Sequence, residues 1–272
     1  MSNILISIVT PSYNQGEFIE EAIKSVRSQL PAGMIEHIII DNCSTDQTKE
    51  VVAKYPDVVF VSEPDEGQSD AINKGFKIAK GQIIGWLNAD DYYMPGTFDK
   101  VRSILSSDDV DGIYSNVRFI NKDNKFIKNL IVHKPVKWLS LFHCYIPSTS
   151  FFFKRTIIDQ GLFIDKDMHI SMDKDFFANI FYKGFKIKFV NDFFASFRWH
   201  DSNKSLDTAD TKKLRQKEGL IIFNRYSRFN FSVSNSNVKR YSLVDGALLA
   251  YRKLLKLFNP LYNYQRLVKS QN

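Results

Sequence analysis

The clearest chemical signal in this chain is a pair of adjacent carboxylates, Asp90 and Asp91, directly after a short apolar run. Mg²⁺ and Mn²⁺ prefer oxygen ligands and commonly use one or two carboxylates together with substrate phosphates. The pair therefore predicts a divalent-metal site beside a phosphate-bearing ligand. The alternative is a purely structural role, because a Pro95-Gly96 turn follows closely.

The elements that must position this pair follow from the pattern of the first 90 residues, in which strand-like apolar runs alternate with helical spacing. Four strands are predicted there, at residues 4–9, 37–40, 58–61 and 82–87, and more follow later in the chain, among them strands at residues 148–153, 186–190 and 194–199. Strands that alternate with helices are typical of an α/β fold with a Rossmann-like, mostly parallel central sheet flanked by helices. Ligands of such sheets bind outside the carboxyl ends of the strands.

Polar residues gather at those four ends. The first strand ends at Thr10 and leads to Tyr13, the second ends at Asp41, the third leads into residues 63–68, and the fourth leads to the Asp90-Asp91 pair. Four successive strands that deliver acids and amides to one edge predict a binding site there.

Five segments in order, at residues 10–14, 40–46, 62–68, 70–75 and 86–91, resemble the successive motifs of family 2 glycosyltransferases. The resemblance extends over about residues 4–205. It implies a GT-A fold and an inverting enzyme that moves a sugar from a nucleotide-sugar donor to an acceptor hydroxyl.

The resemblance also implies roles for residues of the donor site. A wall against the base would be formed by Thr10, Pro11 and Tyr13, with Tyr13 stacked on uracil, and Asp41 would accept a hydrogen bond from the imide N–H of uracil. The ribose and sugar side would be lined by Asp65, Gly67 and Gln68.

For the metal, Mn²⁺ or Mg²⁺, the resemblance implies that Asp91 is a ligand and that Asp90 reaches the ribose and the surroundings of the metal. His200 matches a late motif beside the diphosphate, where it would ligate the metal or contact a phosphate. Asn88 stands where many relatives have an acid. Two further candidates for phosphate contact are Arg198 and Lys204.

The catalytic base of the family lies at the start of a helix, which here matches residues 172–177. Asp173 is the predicted base, and Asp175 is the competing candidate. Because residues two apart on a helix point about 200° apart, only one of them can face the site. Residues 146–150 match a segment that would border the acceptor pocket.

Charge divides the chain of 272 residues into two predicted parts. Residues 205–272 carry 13 Lys and Arg against 4 Asp and Glu, a net charge of +9, whereas residues 1–204 carry 24 against 26, a net charge of −2. We predict a catalytic domain at residues 1–205 and a basic helical extension at 206–272. The basic amphipathic pattern of this extension predicts one of two arrangements. The extension either contacts an anionic membrane peripherally, or forms a helix that packs on the domain and leaves a basic face in solvent.

The resemblance implies a UDP-hexose or UDP-N-acetylhexosamine donor and a glycan or polyprenyl-linked glycan acceptor in surface polysaccharide synthesis. Two alternatives are a nucleic-acid-binding protein with a basic tail and a sugar nucleotidyltransferase. No nucleic-acid recognition motif is found, and residues 10–15 contain neither Gly nor Arg, which disfavours both alternatives. Two cysteines without metal-ligand spacing favour a cytoplasmic location, with the inner membrane face as the peripheral site.

Overall fold

The computed structural model describes residues 5–201, 203 and 208–262. In this part of the chain the strands are β1 (Ile6–Ser12), β2 (Ile35–Asp41), β3 (Val59–Ser62), β4 (Ile83–Trp86), β5 (Tyr92–Tyr93), β6 (Gly112–Asn121), β7 (Phe126–Leu130), β8 (Phe152–Lys154) and β9 (Ile187–Trp199). The α-helices are α1 (Ile19–Arg27), α2 (Thr48–Val52), α3 (Gln68–Ile78), α4 (Thr97–Leu105), α5 (Thr156–Asp159), α6 (Met172–Tyr182), α7 (Ala209–Tyr226) and α8 (Asn235–Lys256). Two short 3₁₀ helices occupy Lys137–Leu141 and Ser148–Ser150.

All of these strands belong to one mixed sheet, with the order β3-β2-β1-β4-β8-β6-β9-β5 and with β7 paired to β6. The first four are parallel, and Val9 of β1 lies opposite Ile38 of β2 and Trp86 of β4. Their carboxyl ends therefore meet at one edge. The predicted α/β class with a largely parallel first half is confirmed.

Helices cover both faces of the sheet, because the buried strands are apolar on both sides. Ile6 and Ile8 pack with α1 and α4, whereas Val9 packs with α3 and α6. Helix α3 approaches β1 very closely at Gly75, where an added Cβ would lie 2.3 Å from Val9 Cγ1. Glycine at this position permits the close packing that fixes α3 beneath the site.

Two predictions for the second half of the chain need correction. The strands predicted at 186–190 and 194–199 form one continuous strand, β9, whose register against β6 shifts between Ser115 and Val117. A bulge absorbs the polar Asn191-Asp192 step, which resembles a turn in the sequence. The strand predicted at 148–153 begins instead with the 3₁₀ helix Ser148–Ser150, and β8 starts at Phe152.

The C-terminal extension is helical, and it packs against the sheet domain through α7 and the start of α8. Glu218, Leu220 and Ile222 of α7 and Tyr241 of α8 are buried. Residues 263–272, at the end of the predicted basic segment, lie outside the described residues. Across the ranges that the structure describes, no helix combines the length and apolar character needed to cross a membrane.

Candidate active site

A cleft of about 1120 Å³ opens at the edge where β1, β2 and β4 end. One wall comes from the segments that follow these strands and β3, and includes Pro11, Tyr13, Asn42, Asp65, Gln68 and Asp90. A second wall comes from α6 and the C-terminal helices, and includes Asp173, Lys174, Lys212, Arg215, Tyr241 and Arg252. The cleft thus joins six of the eight predicted donor residues to the predicted base.

The loop after β1 presents Tyr13, whose side chain is 59% exposed. This loop is bonded to the loop after β2: the Asn14 N–H donates to Ser44 Oγ at 2.8 Å, and the Thr45 N–H donates to Asn14 Oδ1 at 2.9 Å. Gly16 N–H donates to Asp46 Oδ2 at 2.9 Å. Tyr13 is therefore an exposed aromatic ring on a preorganised loop, which is a suitable stacking surface for a planar base.

Two residues predicted to contact the base, Thr10 and Asp41, are buried behind this wall. Thr10 Oγ1 lies 2.9 Å from His37 Nε2. Asp41 accepts hydrogen bonds from the Ser44 N–H and from the hydroxyl groups of Ser44 and Ser62. In this structure both side chains support the loops that form the wall and do not form part of its surface.

The segment after β3 enters the cleft at Asp65, Gly67 and Gln68. Gly67 has a φ of 111°, a conformation that favours glycine, and its N–H donates to Asp65 Oδ1 at 2.8 Å. Gln68 Nε2 donates to Asn88 Oδ1 at 3.0 Å, which connects this segment to the acidic motif after β4. Burial raises the pKa of Asp65. All three residues thus line the cleft.

At the end of β4, Asp90 faces the cleft together with His200 from the end of β9. His200 Nε2 lies 2.9 Å from Asp90 Oδ2, and Asn203 Nδ2 donates to the same oxygen at 3.3 Å. The His200 ring stacks on Phe18, with 5.1 Å between ring centroids. Packing and hydrogen bonding thus fix the orientation of both side chains.

Asp91 does not line the cleft and is only 1% exposed. Its Oδ1 accepts from the Arg198 backbone N–H at 2.8 Å, and its Oδ2 accepts from Asn88 Nδ2 at 3.1 Å. Burial and then the neighbouring Asp90 charge raise the pKa of Asp91 well above its ordinary value. The sequence predicted Asp91 as the metal ligand, whereas the structure places Asp90 at the surface and Asp91 beneath it.

The predicted phosphate contact at Arg198 is also replaced by a structural role. Arg198 is almost completely buried; its guanidinium pairs with Glu21 and donates to Asp90 O at 2.8 Å and to Asn124 Oδ1 at 2.7 Å. It therefore holds the acidic motif against α1. Lys204, the other candidate, lies outside the described residues.

The donors Asp90 Oδ2 and His200 Nε2 suit a divalent ion, since Mn²⁺ accepts both carboxylate and imidazole ligands. Their 2.9 Å separation is close to that of neighbouring ligands in an octahedral shell of about 2.1 Å radius. Among the described residues, no group of three His, Cys, Asp or Glu side chains could hold a metal. The pair therefore fits an ion whose remaining ligands are substrate phosphates and water.

The second wall presents Asp173 in the first turn of α6. Cys144 Sγ donates to Asp173 Oδ2 at 3.3 Å, and burial raises the pKa of this carboxyl. Asp175, the competing candidate, is buried away from the cleft, where Arg225 Nη1 donates to both of its oxygens at 2.9 Å. Only Asp173 faces the cleft, as the helical spacing required.

The C-terminal extension holds the helix that carries Asp173. The buried Glu218 carboxylate of α7 accepts from the backbone N–H groups of His169, Ile170 and Ser171, at 2.8, 3.1 and 2.7 Å. These residues lead directly into α6. Because one carboxylate accepts three bonds there, α7 determines where α6 begins.

The C-terminal extension is bonded to α6 a second time, at Lys174, the residue after the predicted base. Lys174 Nζ donates to Tyr241 Oη at 2.7 Å, and Tyr241 Oη donates to Leu141 O at 2.8 Å. Burial lowers the pKa of Lys174 to about 8.

Sequence reasoning missed the roles of Cys144, Glu218 and Tyr241. Each acts through contacts with residues at least 29 positions away in the chain, and no local motif marks them. The one available signal for Glu218 was the isolation of an acid in a basic segment.

The model of the family described as "Glycosyl transferase family 2" matches residues 7–197. A UDP-Glc:α-D-GlcNAc-diphosphoundecaprenol β-1,3-glucosyltransferase of Escherichia coli is 26% identical over 163 residues, which cover 58% of this chain and 64% of the relative.

Two solved structures share the fold. S. aureus TarS 1-349 in complex with UDP-GlcNAc has a TM-score of 0.65 and 17% identity, with 88% of this chain and 70% of that chain covered. The mannosyltransferase PcManGT from Pyrobaculum calidifontis, in complex with GDP-Man and Mn²⁺, has a TM-score of 0.62 and 17% identity, with 96% and 82% covered. The expected GT-A fold is confirmed, and the chain belongs to glycosyl transferase family 2.

Proposed function

We propose that this chain is an inverting, metal-dependent glycosyltransferase that moves a hexose or N-acetylhexosamine from a UDP-sugar to a hydroxyl of a glycan or polyprenyl-linked glycan. The observation that carries this proposal is the single cleft that joins an aromatic and acidic wall at the strand ends to the carboxylate of Asp173. The complexes of two neighbours with UDP-GlcNAc and GDP-Man support a nucleotide-sugar donor.

In the proposed complex the base stacks on Tyr13 beside Pro11, while Asp65, Gly67 and Gln68 line the ribose and sugar side. Asp90 and His200 would hold Mn²⁺ or Mg²⁺, in place of the Asp91 predicted from the sequence. When bound, the ion would stabilise the negative charge that develops on the departing diphosphate. Asp91 and Arg198 would keep Asp90 in position through their hydrogen bonds.

Asp173 would act as the general base. Inversion requires a carboxylate that removes the proton from the acceptor hydroxyl while that oxygen attacks the anomeric carbon opposite the leaving diphosphate. Asp173 faces the cleft, and its raised pKa makes it a stronger base than an ordinary aspartate. Cys144 contacts the same carboxylate and would orient it.

A lipid-linked acceptor is supported by the diphosphoundecaprenol acceptor in the name of the E. coli relative. Peripheral membrane contact through the extension would bring the enzyme to such an acceptor. Its support is the presence in the extension of the exposed Lys239 and Lys253 together with exposed apolar side chains, namely Phe229, Phe231, Leu243, Leu254 and Phe258. We expect the protein to co-sediment with phosphatidylglycerol vesicles and to bind less to neutral phosphatidylcholine vesicles. If the same amount of protein is found in the pellet without vesicles, this part of the proposal is contradicted.

The test of the activity is a screen of nucleotide sugars with Mn²⁺ and candidate acceptors, with release of the nucleotide product measured. We expect release of UDP that requires the metal and stops on addition of a chelator. Release of sugar 1-phosphate would indicate nucleotidyl transfer instead. Turnover that persists with excess chelator would contradict the proposed metal dependence.

A further inference from the structure

The lysine and arginine side chains of the cleft are distributed very unevenly. Among the described residues, the lysines and arginines that line the cleft are Lys174, Lys212, Arg215 and Arg252. The wall formed by the strand ends contributes none, and three of the four belong to α7 and α8. Part of the charge of the basic extension therefore faces the cleft.

Arg252 lies near the base. Burial raises the pKa of Cys144 while the charge of Arg252 acts to lower it, and Cys144 contacts Asp173. Arg252 Nε is buried and has no hydrogen-bond partner within the described part of the chain. A buried guanidinium N–H without a partner is costly, and an anionic ligand in the cleft would satisfy it.

The surrounding groups leave this side of the cleft positively charged. Asp245 is the acid of α8 that lines the cleft, and its Oδ1 lies 2.9 Å from His143 Nδ1. Among the described residues, no ion pair joins Asp245 to Arg252. Lys212 and Arg215 are three residues apart and thus share a face of α7. Gln216 of α7 donates to Ser242 Oγ of α8 at 2.8 Å, which holds the two helices together at the cleft.

We propose that α7 and α8 form an anion subsite on the acceptor side of the cleft, in which Arg252, supported by Lys212 and Arg215, binds a phosphate or carboxylate of the acceptor. The subsite rests on the proposed function, because it takes this cleft as the site of sugar transfer. A lipid-linked diphosphate and a uronic acid carboxylate share the required chemistry. The donor diphosphate is assigned to the other wall, beside Asp90 and His200.

The test is a set of binding titrations on the full chain saturated with UDP and Mn²⁺, with three probes. Two are anionic, N-acetylglucosamine 1-phosphate and methyl glucuronide, and one is neutral, methyl N-acetylglucosaminide. We expect at least one anionic probe to bind about 10-fold or more tightly than the neutral probe. The preferred anion distinguishes a phosphate source from a carboxylate source.

Arg252→Gln is expected to remove this preference and leave the Kd for UDP unchanged. Lys253→Gln is the matched control, because Lys253 is exposed and does not line the cleft. If Arg252→Gln does not fold, the double variant Lys212→Gln/Arg215→Gln provides the same comparison.

Equal affinity for all three probes, no binding of either anion, or an equal loss of UDP and anion affinity in Arg252→Gln would overturn the subsite. If UDP does not bind at all, the donor assignment fails separately, and titration of the anions against the chain without UDP still decides the subsite.

Discussion

His200 Nε2 lies 2.9 Å from Asp90 Oδ2, although 110 residues separate them in the chain. Two features of the sheet bring them together. Strand β5 follows Asp91 directly and pairs with β9, with Tyr92 opposite Ser196. The Arg198 N–H then donates to Asp91 Oδ1 at 2.8 Å, so the ends of β4 and β9 meet at the cleft.

This arrangement predicts different effects for the two adjacent acids. Asp90→Asn should weaken the Mn²⁺-dependent binding of UDP about 10-fold or more, because a coordinating charge is lost from the cleft surface. The free energy of unfolding should change little, since Asp90 is partly exposed. Calorimetric titration of UDP with and without Mn²⁺, combined with chemical denaturation, measures both quantities.

Asp91→Asn should instead change mainly the free energy of unfolding and have less effect on UDP binding. The substituted NH₂ group would face either the Arg198 N–H or Asn88 Nδ2, both of which are donors, so a buried pair of donors is left unsatisfied. We expect a loss of about 1–3 kcal/mol in the free energy of unfolding. Unchanged stability together with complete loss of metal-dependent UDP binding would restore Asp91 as the metal ligand.

The pH dependence of turnover should report the raised pKa of Asp173. A general base must be deprotonated, so kcat/KM falls as the pH decreases through its pKa. Because burial raises that pKa, the acidic limb should lie above the ordinary aspartate value of about 4. UDP binding measured over the same pH range separates this limb from a pH-dependent loss of donor binding. A limb at or below pH 4 would be inconsistent with a buried base.

Glu218→Gln tests whether α7 positions the helix of the base. The neutral amide keeps only one acceptor oxygen for the three N–H groups of residues 169–171. Loss of a charged acceptor should lower the free energy of unfolding by about 2 kcal/mol. It should also lower kcat more than it raises the KM for the donor. Glu50→Gln, at an exposed position of α2, is the control and should behave as wild type.

Much of the fold was predictable because its signals are local. The apolar run of β1 and the helical spacing of α6 each define an element without reference to the rest of the chain. The bulge in β9 was not predictable, since Asn191 and Asp192 resemble a turn, and only pairing with β6 keeps the strand continuous.

The sequence predicted which motifs form the site, but it predicted less well which individual side chains face the cleft. Adjacent residues of a tight turn point in different directions, so the sequence could not decide whether Asp90 or Asp91 reaches the surface. Pairing of β5 with β9 determines this orientation. The contributions of Glu218 and Arg252 depend on how α7 and α8 pack, and apart from the isolated acid at Glu218 no pattern within the extension indicates this packing.

The most direct test of the central claim is a comparison of Asp173→Asn with wild type, in both sugar transfer and UDP affinity. We expect Asp173→Asn to bind UDP with Mn²⁺ as wild type does, because Asp173 belongs to a different wall of the cleft from Asp90. Its kcat for transfer should fall about 100- to 10,000-fold, the usual contribution of a general base. Wild-type turnover in Asp173→Asn would contradict the account.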